Sequence, residues 1–175
     1  MSTRRPGDVG RQSARERRKK LGFDDVEASA WMQFESVAML LHDVVDRALA
    51  RDHRLSLAEV QMLVHLKNHG PSPMGTLAQT LMMTPGALTQ QTQRLERRGL
   101  VYRCASRDDG RRVIAVITED GNGLLAAALE TYARLVRAHF LNELTRPQMI
   151  ALGDSCRRII ARLKAVESPL GLPDR

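Results

Sequence analysis

Two short helical segments, separated by a three-residue turn and followed at once by a β-branched segment, occupy the middle of the chain. The first runs from Pro73 to Leu81 and the second from Thr84 to Gly99. Thr84 can cap free N–H groups, Pro85 is tolerated at the first helical position, and Gly99 is a natural helix end. Two such helices joined by a tight turn, the second polar on its outer face, predict a helix-turn-helix.

Beyond Gly99 the hydrophobic spacing changes from helical to extended. The segments Leu100–Tyr102 and Val113–Thr118 are typical of strands, and the second is rich in β-branched residues. Asp109-Gly110 between them is a strong signal for a hairpin turn. A two-stranded ribbon directly behind a helix-turn-helix is a wing. We therefore predict a winged helix-turn-helix over residues 55–118.

Longer helices are predicted on both sides of this domain. Apolar residues recur at helical spacing from Trp31 to Leu49 and from Leu124 to Leu163. Capping signals mark the helix starts, and they are Asp24 with Glu27, Ser56 with Glu59, Thr118, and Thr145 with Gln148. The predicted fold class is mostly α with a small β-hairpin wing. The outer helices, residues 23–54 and 119–166, carry more apolar residues than a small winged helix can cover, which predicts a dimerisation region.

A basic arm, residues 1–22, precedes the first helix. The chain has a net charge of +7, and residues 1–20 hold eight Arg and Lys residues against two acidic ones. A basic arm ahead of a nearly neutral remainder suggests contact with phosphates, and a disordered tail that aids solubility is the alternative. The Pro- and Gly-containing end, residues 167–175, is predicted to be a flexible tail.

The outer face of the second short helix carries residue types that recognise bases. Gln can bond an adenine edge in two places, Thr offers a hydroxyl and a methyl group, and Arg serves guanine or phosphate. Solvated helices usually carry Glu and Lys there instead. The candidate DNA-binding residues of this helix are Thr84, Ala87, Thr89, Gln90, Gln93 and Arg94.

The hairpin supplies further cations. Arg107, Arg111 and Arg112 are suited to a narrow minor groove, whose negative potential attracts arginine. Asp109 would hold Arg111 in a fixed geometry through a fork-shaped ion pair. An Arg-rich hairpin alone is also compatible with a solvated turn. Its place directly behind a helix-turn-helix favours DNA contact, because residues 84–112 hold seven Arg against three acidic residues.

The order of elements and two local strings resemble the MarR family of winged-helix transcription regulators. LTQQTQRLERRGLVYR resembles the family's recognition helix and first wing strand, and DDGRRVIAVITEDG resembles its wing. The resemblance covers roughly residues 31–163. It implies that Thr89, Gln90 and Arg94 face the major groove and that Arg111 enters the minor groove. Many relatives have Arg in place of Gln90, so a different base preference is expected at that position.

The resemblance also implies a dimeric repressor on a near-palindromic operator. Family members are typically released from DNA by a small aromatic or lipophilic molecule, which must favour a non-binding spacing of the two reading heads. Trp31, Phe34, Met62 and His65 are the candidate effector-binding residues. The competing interpretation is that these side chains belong to the core, as aromatic and Met residues at helical spacing usually do.

Two other regulatory chemistries are less well supported. His65 and His69 have a spacing compatible with a metal, but no Cys or carboxylate cluster accompanies them in sequence. We therefore predict no metal and no cofactor. Cys104 follows an arginine at the wing, and a redox role would require an acidified thiol. Redox-sensing relatives have their reactive Cys in the first helix, where this chain has none.

Other classes of function fit less well. A non-specific architectural DNA- or RNA-binding protein that uses the basic arm is the main alternative, but phosphate binding does not require Thr89 or Gln90. No Gly-rich phosphate loop, zinc motif or nucleophile motif is found, so we predict that the chain is not an enzyme. No segment has membrane-spanning length, no secretory signal is found, and two cysteines are too few for a disulfide framework. A cytoplasmic location is predicted.

Overall fold

The computed structural model of the chain describes residues 22–105 and 112–167. Its elements are α1 (Asp25–His53), α2 (Leu57–His69), β1 (Ser72–Pro73), α3 (Met74–Thr80), α4 (Pro85–Arg97), β2 (Val101–Ala105), β3 (Val113–Ile117), α5 (Glu119–His139), a 3-10 turn (Leu141–Glu143) and α6 (Arg146–Glu167). The predicted fold class, mostly α with a small β wing, is confirmed. The predictions for the arm, for the hairpin tip at 106–111 and for the tail beyond 167 lie outside the described residues.

The chain divides into two compact units between Val44 and Val45. In the first unit, the backbone N–H groups of Val26 and Glu27 donate to Asp24 Oδ1 at 2.7 and 2.8 Å, and the Asp24 N–H donates to Glu27 Oε2 at 2.8 Å. The capping box predicted at the start of α1 is therefore confirmed. The large apolar side chains exposed along this part of α1 are Val26, Trp31, Met32, Phe34, Val37, Met39 and Leu40.

The second unit buries an aliphatic core. Helix α2 packs against α5, α3 packs against α4, and the strands contact both α2 and α4. Leucine dominates this core, as the aromatic content of 3% requires. The largest fully buried apolar side chains are Leu49, Leu55, Met62, Leu63, Leu66, Leu77, Leu88, Leu95 and Leu125.

The sheet has three strands and not the two expected from the sequence. Its order is β1-β3-β2, and both pairings are antiparallel. The added strand has only two residues, Ser72 opposite Ala115 and Pro73 opposite Ile114. A two-residue strand that contains proline is too short to show the apolar–polar alternation of a strand in the sequence. It is defined by its pairing with β3.

Polar caps fix the start of α2. The Glu59 N–H donates to Ser56 Oγ at 3.2 Å and the Ser56 N–H donates to Glu59 Oε2 at 2.8 Å, which confirms the predicted capping box. The N–H of Leu57, a further free donor of the first turn, donates to Asp46 Oδ1 at 2.7 Å. The end of α1 is thereby bonded to the start of α2 within the second unit.

Defined turns hold both ends of α4. The turn between α3 and α4 places Met82 at a φ of 50°, and the Met83 N–H donates to the Ala78 carbonyl at 2.9 Å. At the other end Gly99 has a φ of 70°, and the Leu100 N–H donates to the Leu95 carbonyl at 3.0 Å. The Schellman pattern thus ends both α3 and α4, and it requires the left-handed conformation at one residue, Met82 in the first turn and Gly99 in the second. The predicted stop at Gly99 is confirmed.

No helix within the described residues has the length and apolarity needed to cross a membrane.

Candidate nucleic-acid interface

Helix α4 has one buried face and one exposed face. Leu88 and Leu95 lie on the buried face and are 1% and 0% exposed. Thr84 caps the helix, because the Ala87 N–H donates to its Oγ1 at 3.3 Å. Helix α4 is therefore held by core contacts along one side, and its start and its end are both defined by hydrogen bonds.

The buried face of α4 also contains two polar residues that the sequence analysis did not assign to it. Gln91 and Thr92 are 5% and 0% exposed. Gln91 Nε2 donates to the Ala58 carbonyl in α2 at 2.9 Å, and the Thr92 hydroxyl donates to the Leu88 carbonyl at 2.8 Å. Their positions three and four residues after Leu88 were the available signal, because residues at this spacing share one helix face.

The exposed face carries the residues predicted to contact DNA. Of these, Thr84, Ala87, Gln90, Gln93 and Arg94 are exposed, and Thr89 is half-buried. The Thr89 hydroxyl donates to the Pro85 carbonyl at 2.8 Å, which leaves its oxygen lone pairs and its methyl group available. The structure thus brings the six predicted α4 residues to one helix, with the amides of Gln90 and Gln93 open to solvent.

Arg94 is bound to a residue that sequence analysis treated only as a helix cap. Its Nε and Nη2 lie 3.1 and 3.0 Å from Oε1 of Glu59, whose side chain is 5% exposed. The Arg94 side chain itself is 52% exposed. The two residues are 35 positions apart, so no local pattern indicates the pair. Beside the ion pair lies a concave surface that encloses a volume of about 490 Å³. Its lining residues are Ala50, Arg54, Leu55, Ser56, Glu59, Arg94, Arg97 and Arg98.

The carboxyl end of α4 is fixed to the sheet and to the end of α1. Arg103 in β2 donates from Nε and Nη2 to Glu96 Oε2 at 3.0 and 2.8 Å, and its backbone N–H donates to Oε1 at 3.0 Å. The Arg103 side-chain hydrogen bonds lower the pKa of Glu96 from its usual value. Arg98 donates to the backbone carbonyls of His53 and Arg54. These contacts orient α4 relative to the strands that lead into the hairpin.

The predicted wing residues are mostly beyond the described part of the chain. Arg107, Asp109 and Arg111 lie in 106–111, outside it. Arg112, directly before β3, is exposed. The base of the hairpin is defined, because Ala105 pairs with Val113. The minor-groove role of the hairpin therefore stays a prediction.

The four candidate effector residues divide between the two units. In the first unit, Trp31 and Phe34 are 50% and 56% exposed, and their ring centroids lie 6.1 Å apart. In the second unit, Met62 is fully buried and its sulfur lies 3.7 Å from Gln91 Nε2, so it packs within the domain. His65 is half-buried, and its effector role, like that of the other three residues, stays a prediction.

The two histidines of α2 lie close together. The rings of His65 and His69 lie with centroids 4.6 Å apart. Desolvation, and then the charge of His69, lower the pKa of His65. Across residues 22–105 and 112–167, no group of three or more His, Cys, Asp or Glu side chains could hold a metal ion. Cys104 and Cys156 are half-buried free thiols.

Comparison with known proteins gives consistent relatives. Residues 53–112 match the model of the MarR family. The uncharacterised HTH-type transcriptional regulator YhbI of Bacillus subtilis is 36% identical over 78 residues, which are 43% of this chain and 51% of that protein. The chain spans about half the length of the curated relatives it matches, including YhbI.

Two solved structures cover much more of the chain. AbsC, a MarR family transcriptional regulator from Streptomyces coelicolor, is 26% identical with a TM-score of 0.74, and the match covers 82% of this chain and 97% of AbsC. Sco3205, a MarR family regulator from the same organism solved in complex with DNA, is 28% identical with a TM-score of 0.74, covering 81% of this chain and 93% of Sco3205. All of these relatives are transcriptional regulators, which confirms the predicted resemblance to the MarR family. Residues 53–112 therefore resemble the MarR family in sequence, and the fold of the chain matches that of two MarR family transcriptional regulators.

Proposed function

We propose that the chain is a sequence-specific, DNA-binding transcriptional repressor that acts as a homodimer on a near-palindromic operator. The observation that carries the proposal is the exposed face of α4. Gln90 and Gln93 project amides from a helix whose opposite face is buried and whose ends are fixed. Amide side chains on a rigid helix can make the paired hydrogen bonds that distinguish adenine from other bases in the major groove.

The direct partners of the duplex are proposed to be the six residues of α4 together with the hairpin. Thr84, Thr89, Gln90 and Arg94 would contact the major groove, with Ala87 and Gln93 beside them. Arg107, Arg111 and Arg112 would supply minor-groove and phosphate contacts, and Asp109 would support Arg111. Positive charge on a protruding hairpin complements the negative potential of a narrow minor groove.

The dimer is supported by apolar side chains on the outer helices. On α6, Ile150, Ile159, Ile160 and Leu163 are each half or more exposed, and the first-unit part of α1 exposes another set of large apolar side chains. Such surfaces are common where a partner chain covers them. We propose that they form the dimerisation region, residues 23–54 and 119–166, and that the twofold axis generates the operator symmetry.

Release by a small aromatic or lipophilic effector completes the proposal. Trp31 and Phe34 form an exposed aromatic pair on α1 and are its best-supported contacts. Trp31 is the single tryptophan of the chain, so its fluorescence would report binding directly. A panel of small phenols should both quench Trp31 and lower DNA affinity. A compound that changes neither the Trp31 fluorescence nor the DNA affinity is not an effector.

We also propose a cytoplasmic location, which agrees with DNA as the partner.

The DNA-binding proposal is tested by selecting duplexes from a random library with the full chain. Enrichment of an inverted repeat is expected, and Gln90→Ala should reduce discrimination between the selected duplex and a scrambled duplex by about tenfold, the loss expected for one bidentate base contact. Gln61→Ala, an exposed Gln on α2 outside the proposed recognition and dimerisation regions, is the matched control and should leave discrimination unchanged. Selection that enriches no sequence would overturn the proposal. A parallel loss on both duplexes would remove Gln90 from base recognition.

A further inference from the structure

Glu59 is a buried carboxylate with both oxygens fully occupied. Its Oε2 accepts from the Ser56 N–H at 2.8 Å and from the Ser56 hydroxyl at 3.1 Å. Its Oε1 accepts from Nε of Arg94 at 3.1 Å and lies 3.0 Å from Nη2 of the same guanidinium. One oxygen therefore caps α2, and the other binds α4.

The cap alone does not account for a charged residue at this position. A Gln at the third helical position completes a capping box as well as a Glu, because only one side-chain oxygen is needed. A buried carboxylate is costly unless it is paired and hydrogen-bonded. The second oxygen of Glu59 meets that condition only through Arg94. The contact with Arg94 is therefore the feature that distinguishes Glu from Gln here.

The ion pair restricts what Arg94 can do. One edge of its guanidinium is held by Glu59, while Nη1 has no acceptor among the residues that the structure describes. A free arginine can reach a phosphate, which contributes affinity without sequence information. A guanidinium already fixed by a buried anion loses little conformational freedom when a base binds it.

Positively charged side chains surround the ion pair, so the restriction on Arg94 affects how strongly this surface attracts phosphates. Arg54, Arg97 and Arg98 line the concave surface next to Arg94. Without Glu59, Arg94 would add a further positive charge to this group, and each phosphate neutralised by a cation steepens the salt dependence of binding. With Glu59, the pair carries no net charge and adds specificity instead of general attraction to DNA.

We propose that Glu59 is a positioning residue for sequence recognition: it fixes the guanidinium of Arg94 for a base edge and withholds it from phosphates. The inference rests on the proposed DNA-binding function. It links the start of α2 to the recognition surface of α4, a role that the capping pattern at residues 56–59 does not indicate.

The test compares the full-length wild-type chain with Glu59→Gln on two probes, a duplex selected from a random library by the wild type and a scrambled duplex of equal length. Gln keeps an oxygen for the Ser56 N–H and places an amide against Arg94, so the cap is retained and the ion pair is lost. Discrimination should fall about tenfold. The slope of log affinity against log salt should become steeper by about one, as expected for one additional phosphate contact.

Ser56→Ala is the matched control, because it weakens the same cap without touching Arg94. It should leave both the discrimination and the salt slope unchanged. The double variant Glu59→Gln/Arg94→Ala should show the same discrimination as Arg94→Ala alone if Glu59 acts through Arg94. Urea unfolding of each variant separates loss of fold from loss of positioning.

Parallel weakening on both duplexes with an unchanged salt slope would overturn the inference, because a purely structural role of Glu59 predicts that result. Unchanged discrimination in Arg94→Ala would overturn it as well. Failure of the wild type to enrich any duplex would overturn the proposed function itself, so the two failures are distinguishable.

Discussion

Replacing Gly121 by alanine should destabilise the fold, although several residues next to Gly121 in the sequence are exposed. Gly121 lies in the first turn of α5, where its N–H donates to the capping hydroxyl of Thr118 at 3.0 Å. A methyl group built on Gly121 would lie 2.2 Å from the carbonyl oxygen of Leu100 and 2.8 Å from Cγ1 of Ile117. The first distance is to backbone, so relief requires that the chain after α4 move away from α5.

The expected cost can be worked from three contributions. Overpacking a close contact costs up to about 3 kcal/mol, and the upper value applies because the opposing atom belongs to the backbone. The displaced Leu100 carbonyl also accepts from the Thr118 N–H at 3.1 Å, and weakening that hydrogen bond costs about 1 kcal/mol. Alanine is favoured over glycine in a helix by about 1 kcal/mol. The net loss for Gly121→Ala is about 3 kcal/mol in the free energy of unfolding.

Gly123→Ala is the matched control, because a methyl group at that position in the same helix would have no atom of the described residues within 4 Å, apart from its chain neighbours and the backbone of its own helix. It should raise the free energy of unfolding by about 0.5–1 kcal/mol through helix propensity. Urea unfolding at one fixed protein concentration measures both changes, since the unfolding midpoint of the proposed dimer would depend on concentration. A Gly121→Ala midpoint at or above that of Gly123→Ala would refute the close-approach argument.

Three further outcomes are expected. The Arg103 hydrogen bonds lower the pKa of Glu96, so their contribution to stability is present above the ordinary carboxyl pKa and is lost as the pH falls through the lower pKa of the folded state. Glu96→Gln should therefore flatten the acid side of the curve of unfolding free energy against pH. Identical curves for the variant and the wild type would contradict this. Gln91→Met should cost about 1 kcal/mol in urea unfolding, because one buried hydrogen bond to the Ala58 carbonyl is lost. Ile159→Glu should convert the proposed dimer to monomer in sedimentation, and an unchanged dimer would exclude this face of α6.

The helix ends were predictable from sequence because their causes are local. Asp24 with Glu27 and Ser56 with Glu59 each close a cap within four residues, and Thr118 accepts from the N–H three residues later. Gly99 adopts the left-handed conformation that glycine favours. These interactions depend on neighbouring residues alone, so short-range patterns contain the necessary information.

The missing parts depend on distant residues. The strand at Ser72 and Pro73 is defined by its pairing with β3, whose residues lie about forty positions later. The same holds for the contact of Arg94 with Glu59, and for the bond from Gln91 to Ala58. Sequence spacing could have placed Gln91 on the buried face, but it could not have identified its acceptor. Long-range partners follow only from the packed fold.

The polar residues of α4 fall into two groups with different physical roles. Distinguishing the two groups reduces the number of residues assigned to DNA recognition. Gln91, Glu96 and Arg98 are polar because they bond α4 to α2, β2 and the end of α1, so a helix with only two buried leucines is still held rigidly. Gln90 and Gln93 are exposed and take no part in these bonds. Arg94 belongs to both groups, since it is anchored by Glu59 and half exposed. The residues with the least structural reason to be polar are therefore the ones for which base recognition is the best explanation, and Gln90 is the first to test.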